Sequence, residues 1–209
     1  LSTAELQHAL AVEIGEPQLD EENLPDVDDL VSVCAGLVLV DEESDIIRLV
    51  HYTTQEYFER THQQWFPIAQ EKITKVCISY LSFEEFEDGI CHNNDDFEQR
   101  LQLNKLYDYA SCNWGHHARE SKTSCQGIID FLRTQGQVEA SSQALMTKTL
   151  EHGYRQLLPM TVSGLHLAAF FGLTDAVQIF LISQDFRFQA FARGLRFIYY
   201  QGLSWPRLR

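Results

Sequence analysis

The chain has 209 residues, of which 44% are hydrophobic and 22% charged, enough apolar material for one large domain or two small ones. Thirty acids stand against sixteen bases, a formal net charge of -14 at pH 7, and an acidic body of this kind repels phosphate backbones, so nucleic acid is not an expected partner. No apolar run approaches the ~18 residues that a membrane-spanning helix needs, so a membrane is not an expected partner either.

The charge is unevenly spread. Residues 1–185 hold all thirty acids and eleven bases, whereas residues 186–209 hold five arginines and no acid. Because the first residue is Leu1, the chain is expected to be a piece of something longer. Cys34, Cys77, Cys91, Cys112 and Cys125 lack CxxC spacing and follow no apolar leader, which predicts unpaired thiols in a reducing, cytoplasmic compartment.

At the start, Ser2 followed three residues later by Glu5 is the reciprocal capping pattern of a helix N-terminus. Leu6, Ala9 and Leu10 then share a face, and Gly15 with Pro17 ends the helix. From Glu13 to Asp29 there are eight acids and no base, read as a solvated acidic link. Leu30, Val31 and Cys34 have helical spacing, with Gly36 at the end of a short helix. Leu37–Val40 and Ile46–Val50 flank a five-residue polar turn and predict a β-hairpin, and TTQEYFERT opens another helix. Helix, acidic link, short helix, hairpin and helix is the order of a winged-helix module, placed at 1–62.

Residues 63–157 predict a helical linker domain. Ile73, Val76, Cys77, Tyr80 and Leu81 form one apolar stripe; RLQLNKLYDYASCNWGHHARE predicts a second helix through Leu106, Tyr109, Ala110 and Trp114. Ile128, Ile129 and Leu132 mark a third helix and Leu145 lies in a fourth, with polar loops such as EDGICHNND between them.

The stretch SGLHLAAFFGL, residues 163–173, reads as the first helix and turn of a single ankyrin-type unit at 158–185. The motif residues are Gly164, Leu165, His166, Leu167, Ala168, Ala169 and Gly172. The two alanines allow close helix approach, Gly172 permits the turn, and His166 is expected to bond to backbone there. Val177, Phe180 and Leu181 are the expected buried face of the second helix. Gly164 stands where such units normally carry Pro, which weakens the helix start. Such units stack in threes or more, yet no second copy follows near residue 197, so this one is expected to serve in packing, with the preceding helices covering it. The tail 186–209 mixes arginine with aromatic residues and has three readings: an amphipath for an anionic membrane surface, a substitute for the missing next repeat, or sequence from a shifted reading frame.

Together, LSTAELQHALAVE, DLVSVCAGLVLVDEESDIIRLVHYTTQEYF and LYDYASCNWGHHAR resemble the region after the nucleotide-binding domain of fungal NACHT-type signalling ATPases with C-terminal ankyrin repeats. The winged-helix part is similar to the winged-helix domain family of GPI inositol-deacylase. The resemblance covers about residues 1–181 and implies a mainly α fold, an NTPase domain before Leu1 and a repeat array afterwards. It also implies that His51, at the junction of hairpin and helix, looks toward nucleotide phosphates and favours an ADP-bound state; Tyr52 follows it in place of the acid of many relatives. The other reading of His51 is a histidine bonding its neighbouring turn.

No G-x-x-x-x-G-K-[ST] surrounds any of the five lysines and no G-x-S-x-G turn occurs, so the chain is expected to be non-enzymatic and to carry no cofactor. DNA binding through the wing meets Asp28, Asp29, Asp41, Glu42, Glu43 and Asp45, all of the wrong sign. Cys112, His116 and His117 suggest a metal by spacing, but adjacent histidines diverge and packed side chains are the simpler reading. Glu84, Glu85, Glu87 and Asp88 read as a solvated helix end rather than catalytic carboxylates, and Trp65, Phe66, Tyr109 and Trp114 as core anchors. The expected function is a regulatory and connecting segment that relays the nucleotide state of an ATPase to a sensor array through protein contacts. The second reading is a free-standing interaction adaptor or a truncated remnant.

Overall fold

The computed structural model describes residues 1–41, 43–121, 126–149 and 162–183. Glu42, Cys125, the 157/158 boundary and the tail 186–209 lie outside the described residues. What is described is mainly α with one small antiparallel hairpin.

Helix α1 (Thr3–Ala11) starts on the expected reciprocal cap: Glu5 N donates to Ser2 Oγ at 3.2 Å and Ser2 N donates to Glu5 Oε2 at 2.6 Å. It ends earlier than Gly15 suggested, with Val12 already extended. Its buried face is also rotated: Leu10 is 55% exposed, while Ala11 and Thr3 are buried. The acidic link is held against the helices behind it, since Glu84 N donates to Pro17 O at 3.0 Å and Val12 and Leu19 pack on the core.

Asp26 caps α2 (Val27–Val33) by accepting from Asp28 N at 2.8 Å. Ala35 and Gly36, both at positive φ, turn the chain into β1 (Val38–Asp41), which pairs with β2 (Ile46–Leu49) from Val38↔Leu49 to Asp41↔Ile46. α3 (Tyr52–Trp65) then lies against β2. No described residue of α2, the hairpin or α3 is buried.

The core begins with α4 (Ala69–Leu81). The stripe expected there turns toward Thr74, Cys77, Ile78, Tyr80 and Leu81, and Ile73 and Val76 sit at its half-buried edge. Thr74 enters the interior because its hydroxyl donates to Gln70 O at 2.7 Å, which meets its polar requirement within the helix.

The single helix expected through Leu106 and Trp114 is two helices, α5 (Asn94–Leu103) and α6 (Tyr107–Ser121). The break is at Asn104, whose N–H closes on Arg100 O at 2.9 Å and whose carbonyl accepts from Tyr107 N at 3.0 Å. Asparagine competes with the helix for its own backbone, so it serves better as an end than as an interior residue.

α7 (Gln126–Arg133) and α8 (Gln135–Thr149) meet at Thr134. α8 is the central pillar despite its polar sequence, with Gln137, Val138, Ala140, Ser141, Ala144 and Leu145 buried. Alanine and serine are small enough for neighbours to close in on several sides. Gln137 Nε2 donates to Ser82 O at 2.9 Å, and the Gln143 side-chain amide both donates to and accepts from the Cys91 backbone at 2.9 Å. These contacts pin the loop between α4 and α5 to α8. At Gly136 a Cβ would lie 1.8 Å from Glu87 O, so only glycine allows that approach.

α9 (Gly164–Phe171) and α10 (Thr174–Ile182) form a helical hairpin closed at Gly172, φ 71°, where Leu173 N donates to Ala168 O at 2.9 Å. α9 packs on α6, α7 and α8, so its buried side chains join the same core as theirs. α10 touches chiefly α9, which is why Leu181, expected inside, is 61% exposed while Ala176 and Phe180 are buried.

Candidate functional site

α1 is the strut of the molecule. At its first turn Thr3 N donates to Asp45 O at 2.8 Å and the Thr3 hydroxyl donates to the same oxygen at 3.1 Å, tying the helix to the turn of the hairpin. At its other end His8 Nδ1 lies 2.9 Å from the hydroxyl of Tyr80, a fully buried residue of α4, and that hydroxyl reaches Asn104 Oδ1 at 3.4 Å. Asp45 is at positive φ (53°), a conformation that asparagine and aspartate tolerate better than other non-glycine residues. Sequence reasoning missed this joint. His8 and Tyr80 are 72 positions apart, and nothing local in either predicts the other.

His51 is the N-cap of α3. Thr53 N donates to its Nδ1 at 3.3 Å, the Thr53 hydroxyl lies 2.8 Å from the same nitrogen, and the residue is exposed. Nδ1 is therefore engaged by the neighbouring turn, leaving Nε2 as the ring atom available to a ligand. Tyr52 lies beside it, with ring centroids 5.7 Å apart.

The residues of the SGLHLAAFFGL stretch come together on one hairpin. Ser163 N donates to His166 Nδ1 at 3.1 Å and the Ser163 hydroxyl lies 2.8 Å from the same atom, so the histidine bonds backbone at the start of α9. Leu165, Leu167 and Ala168 are buried, Ala169 is half-buried, and Gly172 makes the turn. Gly164 packs so closely on α7 that a Cβ there would lie 1.9 Å from Leu132 O.

Cys112, His116 and His117 do not converge. Cys112 Sγ faces Asp108 at 3.9 Å, His116 meets the ring of Phe171 edge-on at 5.3 Å, and His117 bridges Gln70 Oε1 at 2.6 Å and the Tyr109 hydroxyl at 2.9 Å. Among the described residues no group of three or more His, Cys, Asp or Glu is placed to hold a metal ion. Glu84, Glu85, Glu87 and Asp88 are exposed around the buried ring of Phe86. Trp114 is a core anchor and Tyr109 is half-buried, but Trp65 and Phe66 are not core residues: among the described residues they are left 59% and 57% exposed at the end of α3. Burial pushes the Cys77 thiol up to about 12, so it is an inert packed group rather than a nucleophile.

Burial also lowers the affinity of His8, His117 and His166 for protons, helped at His8 by Lys105. An NMR titration of the ring signals should place all three midpoints below 6.5, the ordinary histidine value. The sign follows: above that value both folded and unfolded chains hold these rings neutral, and as pH falls through it the unfolded chain takes up protons first. These three groups therefore withdraw stability on the acid side. A midpoint above 6.5 for His8 would mean that its contact with Tyr80 favours the charged ring.

No helix among the described residues is long and apolar enough to cross a membrane. Comparison of the chain with protein-family models, with curated proteins and with solved structures gave no match.

Proposed function

We propose that this chain is a non-enzymatic regulatory and connecting segment of a NACHT-type signalling NTPase with ankyrin repeats, coupling a nucleotide switch before it to a sensor array after it through protein contacts. In this reading residues 1–62 are a winged-helix module, α9 and α10 are an ankyrin-type unit, and His51 faces the nucleotide side. The resemblance of the sequence motifs supplies the family. The observation that carries the coupling is α1, held at one end by Asp45 of the hairpin turn and at the other by Tyr80 of the helical core.

A load on the hairpin has a short hydrogen-bonded route into the core, and the helical hairpin α9–α10 rests on that same core. Its outer face, with Phe170, Leu181 and Ile182 exposed, is a surface on which a further repeat can stack. The carboxylates of Asp28, Asp29 and Glu43 are exposed on the module, which argues for a protein partner and against a phosphate backbone.

The test uses the intact protein with the NTPase domain encoded before Leu1. Tyr80→Phe keeps the ring and removes the joint, while His51→Asn keeps a capping side chain and removes the imidazole. Each should change the rate of ADP release at least about threefold with secondary structure intact, the kinetic equivalent of losing one hydrogen bond. ADP release unchanged in both variants, or the absence of an in-frame nucleotide-binding domain, would sink the proposal.

A further inference from the structure

Two features remain that the coupling role does not use. The first is an aromatic cluster at the corner of α3 and α4. Trp65 Nε1 donates to the Tyr57 hydroxyl at 3.2 Å, Tyr57 and Phe58 have ring centroids 5.6 Å apart and Phe58 and Phe66 6.4 Å apart, and Ile68 follows two residues along the chain; apart from the half-buried Phe58, these side chains are exposed. Trp and Tyr clustered on a surface are the residue types that dominate binding energy when a partner covers them. The second is charge. Residues 1–68 carry fifteen acids against two bases, Arg48 and Arg60, and Arg48 is already paired with Asp41 at 2.9 Å. An occupant of this surface must bring apolar contacts and positive charge together.

One segment of this chain has that chemistry. Residues 186–209 contain five arginines, no acid, and Phe186, Phe188, Phe191, Phe197 and Trp205 among their aromatics. Arginine over an exposed Trp or Tyr face gains cation–π attraction, and toward a stretch whose fifteen acids outnumber its two bases it is also drawn by Coulomb attraction. Reach is sufficient. The 26 residues after Ser183 can extend roughly 80 Å, against a diameter of roughly 40 Å for a compact body of this size.

We propose that the aromatic face formed by Tyr57, Trp65, Phe66 and Ile68 on the acidic N-terminal module is the docking surface for the arginine-aromatic segment 186–209 of the same chain. This contact goes beyond the coupling role and needs no upstream NTPase. Its physical consequence is a cover over the exposed aromatics that salt can loosen.

The experiment places a photocrosslinker in the full chain by Phe66→p-benzoylphenylalanine, an exposed aromatic-for-aromatic change, with near-UV circular dichroism to check the fold. Irradiation followed by mass spectrometry should join position 66 to residues 186–209 of the same molecule, with a yield independent of protein concentration. That yield should fall at least about fivefold between roughly 50 mM and 500 mM salt, where screening shortens from over 10 Å to under 5 Å. Combining Arg187→Glu, Arg193→Glu and Arg196→Glu should abolish it. Crosslinks confined to other residues, crosslinks between two chains that rise with concentration, or none at all would overturn the proposal. Because the chain is tested alone, failure here leaves the coupling role standing, and failure of that role leaves this contact standing.

Discussion

Replacing Trp114 by alanine is expected to lower the unfolding free energy by about 4 kcal/mol, within the range for emptying a large aromatic site. Trp114 is 0% exposed and braces three helices: from α6 it meets Phe131 of α7 edge-on at 5.4 Å and Phe171 of α9 at 4.9 Å. The cavity cannot readily collapse. Phe171 is pressed against α6 so closely that a Cβ on Gly115 would fall 2.0 Å from its ring, so it has no simple path into the vacated space. Trp114→Phe should cost only about 1–2 kcal/mol, because it keeps most of the apolar contact and removes an indole N–H that has no hydrogen-bond partner among the described residues. Urea unfolding followed by far-UV circular dichroism reads both values. A loss below about 1 kcal/mol for Trp114→Ala would mean that α9 does not share one core with α6 and α7.

Gly164→Pro, the change that an ankyrin-type reading of the stretch would recommend, is expected to destabilise the protein by about 3 kcal/mol rather than to strengthen the helix. Proline at the first helical position is normally favourable, since it presets φ and its missing N–H had no helical partner. Here the gain is outweighed by contact: a Cβ at 164 would lie 1.9 Å from Leu132 O and 2.9 Å from Leu132 Cβ, and the oxygen belongs to backbone held in α7. Overpacking against a fixed group costs about 1–3 kcal/mol and sometimes more. Gly164→Ala should behave alike. Gly127→Ala in α7 is the control, since a Cβ there meets nothing within 4 Å. It should be neutral or raise stability by up to about 1 kcal/mol through helix propensity. Thermal melts should separate the two classes by roughly 10 °C. A Gly164→Pro protein as stable as the parent would show that α9 is free to move away from α7.

Part of the architecture was legible because it depends on neighbours in sequence. Ser2 and Glu5 announced the start of α1, and two β-rich runs around a polar turn announced the hairpin within one residue of its observed ends. His166 bonds to backbone as expected, though at Ser163 on the start of α9 rather than in the turn, and Gly172 made the predicted turn. Of the candidate site, the place of His51 at the hairpin–helix junction was legible; its capping bond to Thr53 was the alternative that its position allowed. The strut contacts of Thr3 with Asp45 and of His8 with Tyr80 were not, since each joins residues more than forty positions apart.

By itself the sequence determined the capped start of α1, the turn at Gly172, the hairpin, the acidic character of the first 68 residues and the absence of the phosphate-cradling motif, because each rests on local hydrogen bonding, backbone preference or composition. Only the tertiary structure decided which faces are covered. Thr74 and the alanines and serines of α8 at 140–142 and 144 lie inside because neighbours close on small or self-satisfied side chains, while Leu10, Trp65, Phe66 and Leu181 lie outside because no described element covers them. Hydrophobicity states what a side chain favours. Whether it is buried depends on which distant segment arrives, and that is a property of the whole packed chain.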